Sequence, residues 1–424
     1  MSDALALFRS LPADGRLLIG TRITRLFAYG ALSVVLVLYL VQLGMSLPAV
    51  GVLLCLTLVG DTLISLWITT SADRIGRRSM LILGAILMLI AGIAFAVTRN
   101  AAILLIAAIV GVISPSGNEV GPFLAVEQAS LSHIIDDGQR TRVFAWYNLV
   151  GSFATAFGAL CAGLLTQALL RHGSDAAVSY RAVVIAYAAI GLLLAFMFAR
   201  LSPNVEVNAN GGDNELPRRA WLGLHRSRSV ILRLSGLFSL DAFAGGFVIQ
   251  SFIAYWFHVR YGVSPGLIGS IMFGANLLAG VSALYAVAIA ARIGLVNTMV
   301  YTHIPSNILL ILVPLMPNLS LSICMLLLRF SISQMDVPAR QSLTMALVRP
   351  DERSAAAGVT GTARTVGAAI SPLIAGPLLA HAALLGVPFF VAGGLKIVYD
   401  LLLYKGFQSS QHHGKGDQGH NRIG

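Results

Sequence analysis

Ala72-Asp73-Arg74-Ile75-Gly76-Arg77-Arg78 is a short charged stretch set between two long apolar runs, and its reading decides the fold. Charge this dense does not enter an apolar layer, so the stretch marks a loop joining two embedded helices. A weaker copy, Ala290-Ala291-Arg292-Ile293-Gly294, recurs 218 residues later and again separates apolar runs. Two copies of one loop at that separation imply a chain built from two related halves.

The composition says what surrounds those halves. Charged residues make up 11% of the chain, against about 25% in a soluble domain, and the mean hydropathy is +0.81. Most of the surface therefore faces lipid rather than water. A chain of 424 residues holds about a dozen spans of roughly 20 residues each, which leaves little for a soluble catalytic domain. No G-x-x-x-x-G-K-[ST] loop, nucleophile-base motif or metal-ligand pair is present, so the reading is of a protein that is not an enzyme, with no cofactor and no catalytic residues. The formal charge of +11 resides mostly in loops and sets topology, so nucleic acid is not an expected partner. Cys55, Cys161 and Cys324 are odd in number and lie in three different apolar runs. Packing is their ordinary role; all three fall in the outward half of their spans, which leaves a soft-metalloid thiolate site as the alternative.

Apolar runs bounded by Gly, Pro or charge read as spans at 17–43, 49–70, 80–97, 101–130, 143–170 and 180–201, then at 230–257, 267–290, 295–315, 319–347, 354–380 and 386–404. Helices are required, because hydrocarbon offers open backbone groups no partner. The expected fold is an all-α membrane protein with twelve transmembrane helices in two pseudo-symmetric six-helix bundles. The domains are then 1–201, a six-helix bundle; 202–229, a polar cytoplasmic linker; 230–407, the second bundle; and 408–424, a disordered cytoplasmic tail. Residues 1–16 read as a retained leader, since no cleavage site precedes the first span. Gln128, Arg140 and Gly163 match Gln341, Arg353 and Gly376 at a constant offset of 213, a second sign of repetition.

With the N-terminus inside, Arg74, Arg77, Arg78, Arg140, Arg142, Arg200, Arg292, Arg349 and Arg353 all fall in cytoplasmic loops, whereas the outside loops keep Arg99, Arg171, Arg181 and Arg260. The positive-inside rule places both termini in the cytoplasm, and an inner (plasma) membrane is the expected location.

The first loop resembles the signature of the major facilitator superfamily, G-x-x-x-D-x-x-G-R-R/K between spans two and three. Asp73, Gly76, Arg77 and Arg78 match it, while Thr69 stands where the family has its first glycine and Ala291 replaces the aspartate in the second copy. The resemblance runs from span one to span twelve. It implies secondary transport, a cytoplasmic latch made by Asp73, Arg74, Gly76, Arg77 and Arg78, and a cavity lined by spans one, four, seven and ten. The glycine-proline pattern associated with antiporters is not clear on span five, where Gly151, Gly158 and Gly163 lack a proline.

An ionisable group in hydrocarbon costs about 2.5 to 3.5 kcal/mol on insertion scales, so each one is a functional candidate or one partner of a structural ion pair. Asp61 and Asp241 fall near mid-membrane, Glu119 and Asp336 toward the cytoplasm, and Glu127 and Arg340 nearer that face; Arg25, Arg329 and Arg364 are available as partners. Glu119, Asp241 and Asp336 are the expected proton-coupling carboxylates, with Glu119 first because Pro115 and Gly117 loosen the helix before it. Arg25 and Arg329 are the expected substrate-binding cations. Lys396 and Asp400, four residues apart on one helix face, read as a mutually neutralising peripheral pair.

The expected function is a monomeric secondary transporter in the lipid bilayer that moves a small-molecule solute by proton-coupled efflux. The alternative is carriage of an anionic solute on the intramembrane arginines. A non-transporting membrane receptor is the alternative of another class.

Overall fold

A computed structural model of the chain describes residues 11–117, 123–206, 227–349 and 352–407, and every regular element among them is helical. The first half contains α1 (Ala13–Gln42), α2 (Leu47–Ile75), α3 (Arg77–Val97), α4 (Ala101–Val110), α5 (Phe123–Ile134), α6 (Asp137–Arg171) and α7 (Ala176–Ala199). The second contains α8 (Arg228–Gly246), α9 (Gln250–Tyr261), α10 (Pro265–Ile293), α11 (Leu295–Leu312), α12 (Leu319–Phe330), α13 (Asp336–Ala346), α14 (Arg353–Leu379) and α15 (Val387–Phe407). Among the described residues nine helical segments are long and apolar enough to cross a membrane. The three other expected spans are present in altered form: 101–130 as α4 and α5, 319–347 as α12 and α13, and 354–380 as α14, which carries Pro372 and Pro377 inside the helix.

The interruptions follow local chemistry in part. Span four loses helix after Val110, and Pro115 and Gly117 lie in the non-helical stretch, with Gly117 at φ +71°, where a residue without Cβ carries no strain. Span ten breaks one turn earlier than Pro338 suggests, at residues 331–335, and Pro338 sits in the first turn of α13, where a missing N–H costs no hydrogen bond. Span seven is also split, between Gly246 and Gln250, at a place with no proline.

By packing, the chain forms two compact units. Unit 1 comprises the described residues within 1–213, 249–277 and 372–381; unit 2 comprises those within 214–248, 278–371 and 382–424. In unit 1 the split of span seven meets the extended part of span four: Ser251 donates through its backbone N–H to Pro115 O (3.2 Å) and through Oγ to Pro115 O (2.7 Å) and Ser33 O (2.8 Å), while Gln250 Nε2 reaches Ser33 Oγ at 2.7 Å. The Pro115 carbonyl, freed by the break in span four, is thereby satisfied in the interior. Unit 2 has its own apolar core, in which Ile231, Leu234 and Phe238 of α8 pack with Val296, Met299 and Val300 of α11, Leu343 of α13 and Leu403 of α15.

The repeat seen in the sequence is present in the backbone. Gly76 and Gly294 end their helices at φ +112° and +89° and donate to Ala72 O and Ala290 O at 3.0 and 2.9 Å. Arg140 Nη2 donates to Ser132 O (2.9 Å) and Arg353 Nε to Met345 O (3.3 Å), each eight residues back along the chain. Within unit 1, Gly163 of α6 lies against Gly269 of α10, and Gly376 of α14 against Gly51 of α2; a Cβ on either glycine would stand 2.8 and 3.1 Å from the opposing Cα.

Candidate functional site

Among the described residues, buried ion pairs gather in two clusters, one in each unit. In unit 1, Arg25 of α1 faces Glu127 of α5 in a two-pronged pair, Nη1 to Oε1 at 2.7 Å and Nη2 to Oε2 at 2.8 Å, with both side chains fully buried. Thr21 Oγ1 donates to Oε1 at 2.8 Å, and the Tyr147 hydroxyl of α6 donates to Oε2. Two donors on each oxygen fill a carboxylate's acceptor capacity. Tyr147 is held in turn by Arg22, whose Nε donates to Tyr147 O at 2.7 Å and whose guanidinium lies 4.0 Å over the ring; Arg25 also stacks on Phe123 at 4.6 Å. Arg25 is therefore committed to Glu127 in this state instead of facing solute, as its expected binding role requires.

The second group lies in unit 2 and draws on six helical segments. Asp241 of α8 takes Lys396 Nζ of α15 on Oδ1 at 2.5 Å, and on Oδ2 both Arg340 Nη1 of α13 at 3.0 Å and Arg364 Nη1 of α14 at 3.1 Å. Arg340 Nη1 also lies 3.2 Å from Asp336 Oδ2. His303 of α11 sets Nδ1 2.8 Å from Asp400 Oδ1 and Nε2 3.9 Å from Asp241 Oδ1, and Asn307 Nδ2 donates to the other Asp400 oxygen at 3.3 Å. Arg329 of α12 is within electrostatic reach of Asp241, its guanidinium is 4.9 Å from the Phe330 ring centroid, and its Nε has no hydrogen-bond partner among the described residues.

The charges of this group do not cancel. With Arg329 counted, Arg329, Arg340, Arg364 and Lys396 are four cations against the carboxylates Asp241, Asp336 and Asp400, before any charge on His303. At about 4 Å and an effective dielectric constant near 20, one unit charge on another is worth about 4 kcal/mol, so an added anion gains and an added cation loses by amounts that decide binding. Arg364 is the most exposed member of these ion pairs, with 33% of its side chain exposed while the other members are 10% exposed or less.

Among the expected residues, Asp241, Asp336, Arg329, Arg340 and Arg364 thus come together in unit 2, and Glu119 lies outside the described residues. The Lys396–Asp400 pairing is corrected: Lys396 turns to Asp241, and Asp400 takes His303 and Asn307. The chosen pairing brings a carboxylate from another helix closer than helical spacing does. His303 and Asn307 escaped the sequence reading because an imidazole or amide in an apolar run stands out less than a carboxylate or guanidinium. Cys55 is buried while Cys161 and Cys324 are exposed, and among the described residues no three histidine, cysteine or carboxylate side chains are arranged to hold a metal.

The signature loop closes on its own half. Asp73 Oδ1 accepts from Arg77 Nε at 2.9 Å with its side chain 65% exposed, Arg74 is exposed, and Arg78 Nη2 donates to Ala199 O at 2.5 Å. The carboxylate that caps α3 is Glu206, which the sequence did not flag. Its Oε2 accepts from Arg77 N at 2.7 Å and its Oε1 from Arg78 N at 3.1 Å, at the positive end of the helix dipole.

A family model of the Major Facilitator Superfamily matches residues 18–372. A curated relative, the "Uncharacterized membrane protein YJR124C" of Saccharomyces cerevisiae, is 30% identical over 423 residues, covering 93% of this chain and 94% of its own. Among solved structures, nucleoside transporter NupG matches with a TM-score of 0.73 at 12% identity over 93% of this chain and 99% of its own. The inward open xylose transporter XylE from E. coli matches with a TM-score of 0.68 at 13% identity over 92% and 95%. The chain belongs to the Major Facilitator Superfamily: it is a multi-pass membrane protein with that fold, a secondary transporter of a small-molecule solute and not an enzyme.

Proposed function

We propose that this member of the superfamily carries a small organic anion, coupled to protons, on the charge group of unit 2. The observation that carries the reading is the surplus of Arg329, Arg340, Arg364 and Lys396 over Asp241, Asp336 and Asp400. A buried surplus cation is costly in a membrane, and a carboxylate or phosphate removes that cost by accepting from the planar guanidinium fork of Arg364. Export of a cationic compound fits less well, because it adds to the surplus. The filled acceptor set of Glu127 supports a structural role for the pair in unit 1. The arginine asymmetry of the loops supports a monomer oriented with both termini in the cytoplasm of an inner or plasma membrane.

Flux into proteoliposomes tests this. A panel of mono- and dicarboxylates, phosphate esters, neutral sugars and nucleosides, and lipophilic cations is presented with and without an imposed pH difference. The reading stands if the anions are moved and the pH difference drives their accumulation. It falls if only neutral or cationic members move.

A further inference from the structure

His303 and Lys396 face the same oxygen. Lys396 Nζ is 2.5 Å from Asp241 Oδ1 and His303 Nε2 is 3.9 Å from it, so as Lys396 is drawn away the imidazole is the next donor in line. The other ring nitrogen, Nδ1, lies 2.8 Å from Asp400 Oδ1, and an ionised Asp400 accepts the hydrogen that Nδ1 carries. Nε2 is then the ring position that faces Asp241, whose Oδ1 is held by Lys396.

We propose that His303 is the group that takes up and releases the coupled proton, using Nε2 opposite Asp241 while Nδ1 stays on Asp400; this rests on the anion reading given above. When an anion enters and accepts from Lys396 and Arg364, Asp241 Oδ1 loses its ammonium donor. A proton from water then binds Nε2, and the imidazolium donates from Nε2 to Asp241 and from Nδ1 to Asp400. One negative and one positive charge have been added, so the balance of the site is kept. When the anion leaves, Lys396 returns to Oδ1 and the proton departs from Nε2. Neither ligand is favoured without the other, which is what coupling requires.

The surroundings of the ring are consistent with this. α15 brings Lys396, Asp400 and the Tyr399 ring, whose centroid is 5.9 Å from that of His303. α8 brings Asp241, which the ring faces, and about that carboxylate α12 brings Arg329, α13 brings Arg340 with Asp336, and α14 brings Arg364. The ring itself is 7% exposed, so its exchange with bulk water depends on the transport cycle. Asn307, one turn along α11, holds the second Asp400 oxygen and keeps that carboxylate turned toward the ring.

His303→Gln and His303→Asn proteoliposomes test the inference with two assays, on whichever panel members the wild type moves. Equilibrium counterflow without a pH difference reads binding and alternation, and accumulation driven by a pH difference reads coupling. Both variants should keep counterflow within about threefold, under 1 kcal/mol, and lose accumulation. Variants that still accumulate solute overturn the proposal. Loss of counterflow and accumulation together also overturns it, by making His303 a general requirement of alternation. If the solute proves neutral or cationic, the anion reading fails while the same split remains readable. A readout independent of solute is the ¹⁵N spectrum of histidine-labelled protein with and without His303: the His303 ring should titrate at Nε2, and its midpoint should move in Asp400→Asn. A ring that holds one protonation state from acidic to alkaline pH overturns the proposal whatever the solute.

Discussion

Glu127 and Arg340 stand 213 residues apart at equivalent places in the two repeats, and each holds a partner of opposite sign on the first helix of its own half, Arg25 at 2.7 Å and Asp241 at 3.0 Å. The repeat has kept the ion pair and inverted its charge. The surroundings then differ. Glu127 meets donors that fill both oxygens and ends as a closed pair, whereas Asp241 gathers Lys396 and Arg364 besides Arg340. One pair is completed by neutral groups and the other by further cations, which is why the solute site is assigned to unit 2.

Breaking the closed pair should cost stability. Arg25→Ala leaves Glu127 buried without its cation, a loss of about 3 to 5 kcal/mol by precedent for buried pairs, while Arg25→Met with Glu127→Met removes both charges and should recover most of it. Thermal unfolding of purified protein in detergent reads the difference. A single variant as stable as the wild type would show that the pair is dispensable to the fold.

Arg364→Gln keeps hydrogen bonding and removes the exposed charge of the second group. The apparent KM for a transported anion should rise about tenfold or more, roughly 1.4 kcal/mol, with a smaller change in maximal rate. Arg329→Ala should act in the same direction. Unchanged KM in both variants would remove the arginines from the solute site.

The paired glycines set a limit on how closely helices approach. A side chain at Gly163 or Gly376 meets the backbone of α10 or α2 at 2.5 Å, and overpacking of this kind costs about 1 to 3 kcal/mol. Gly163→Val and Gly376→Val should therefore reduce transport while protein still reaches the membrane. Gly236→Ala, where a Cβ would meet nothing within 4 Å, should transport normally. Equal activity across the three variants would show that these approaches play no part in the cycle.

Span number and the repeat were legible because hydropathy reports burial in lipid directly, and Pro115 with Gly117 announced the break in span four. The breaks at 247–249 and 331–335 were not, since no proline lies within either, Pro338 points one turn too late for the second, and the first is held by tertiary partners such as Pro115 O and Ser33. In the site, Asp241, Asp336, Arg329 and Arg364 were legible because an ionisable group in an apolar run is conspicuous. The partner choice was not: helical spacing joins Lys396 to Asp400, and only the packing of α15 on α8 shows that Asp241 is nearer. Glu206 was hidden for the opposite reason, as one acid in a polar stretch.

Orientation is open to a direct check. The arginine asymmetry predicts that reporter fusions at Gly211 and Gly424 behave as cytoplasmic, with phosphatase silent and green fluorescence retained. An active exported reporter at either site would reverse the topology.

The signature loop separates stability from transport. Asp73 pairs with Arg77 at the surface, where such a pair is worth about 0 to 1 kcal/mol, so Asp73→Asn should unfold within a few degrees of the wild type. Glu206 instead serves two N–H groups at the start of α3, a placement that gains from the helix dipole by about 0.3 to 1 kcal/mol, and up to about 2 when partly buried. Glu206→Gln should consequently lower thermal stability more than Asp73→Asn does. If Asp73 is also the carboxylate of a latch that forms in another state of the cycle, Asp73→Asn should slow transport without that loss and should alter the labelling of Cys161 and Cys324 by a membrane-permeant maleimide. Wild-type transport with unchanged labelling would leave Asp73 as a solvated loop charge, and a stability loss equal to that of Glu206→Gln would place it in the structural contact instead.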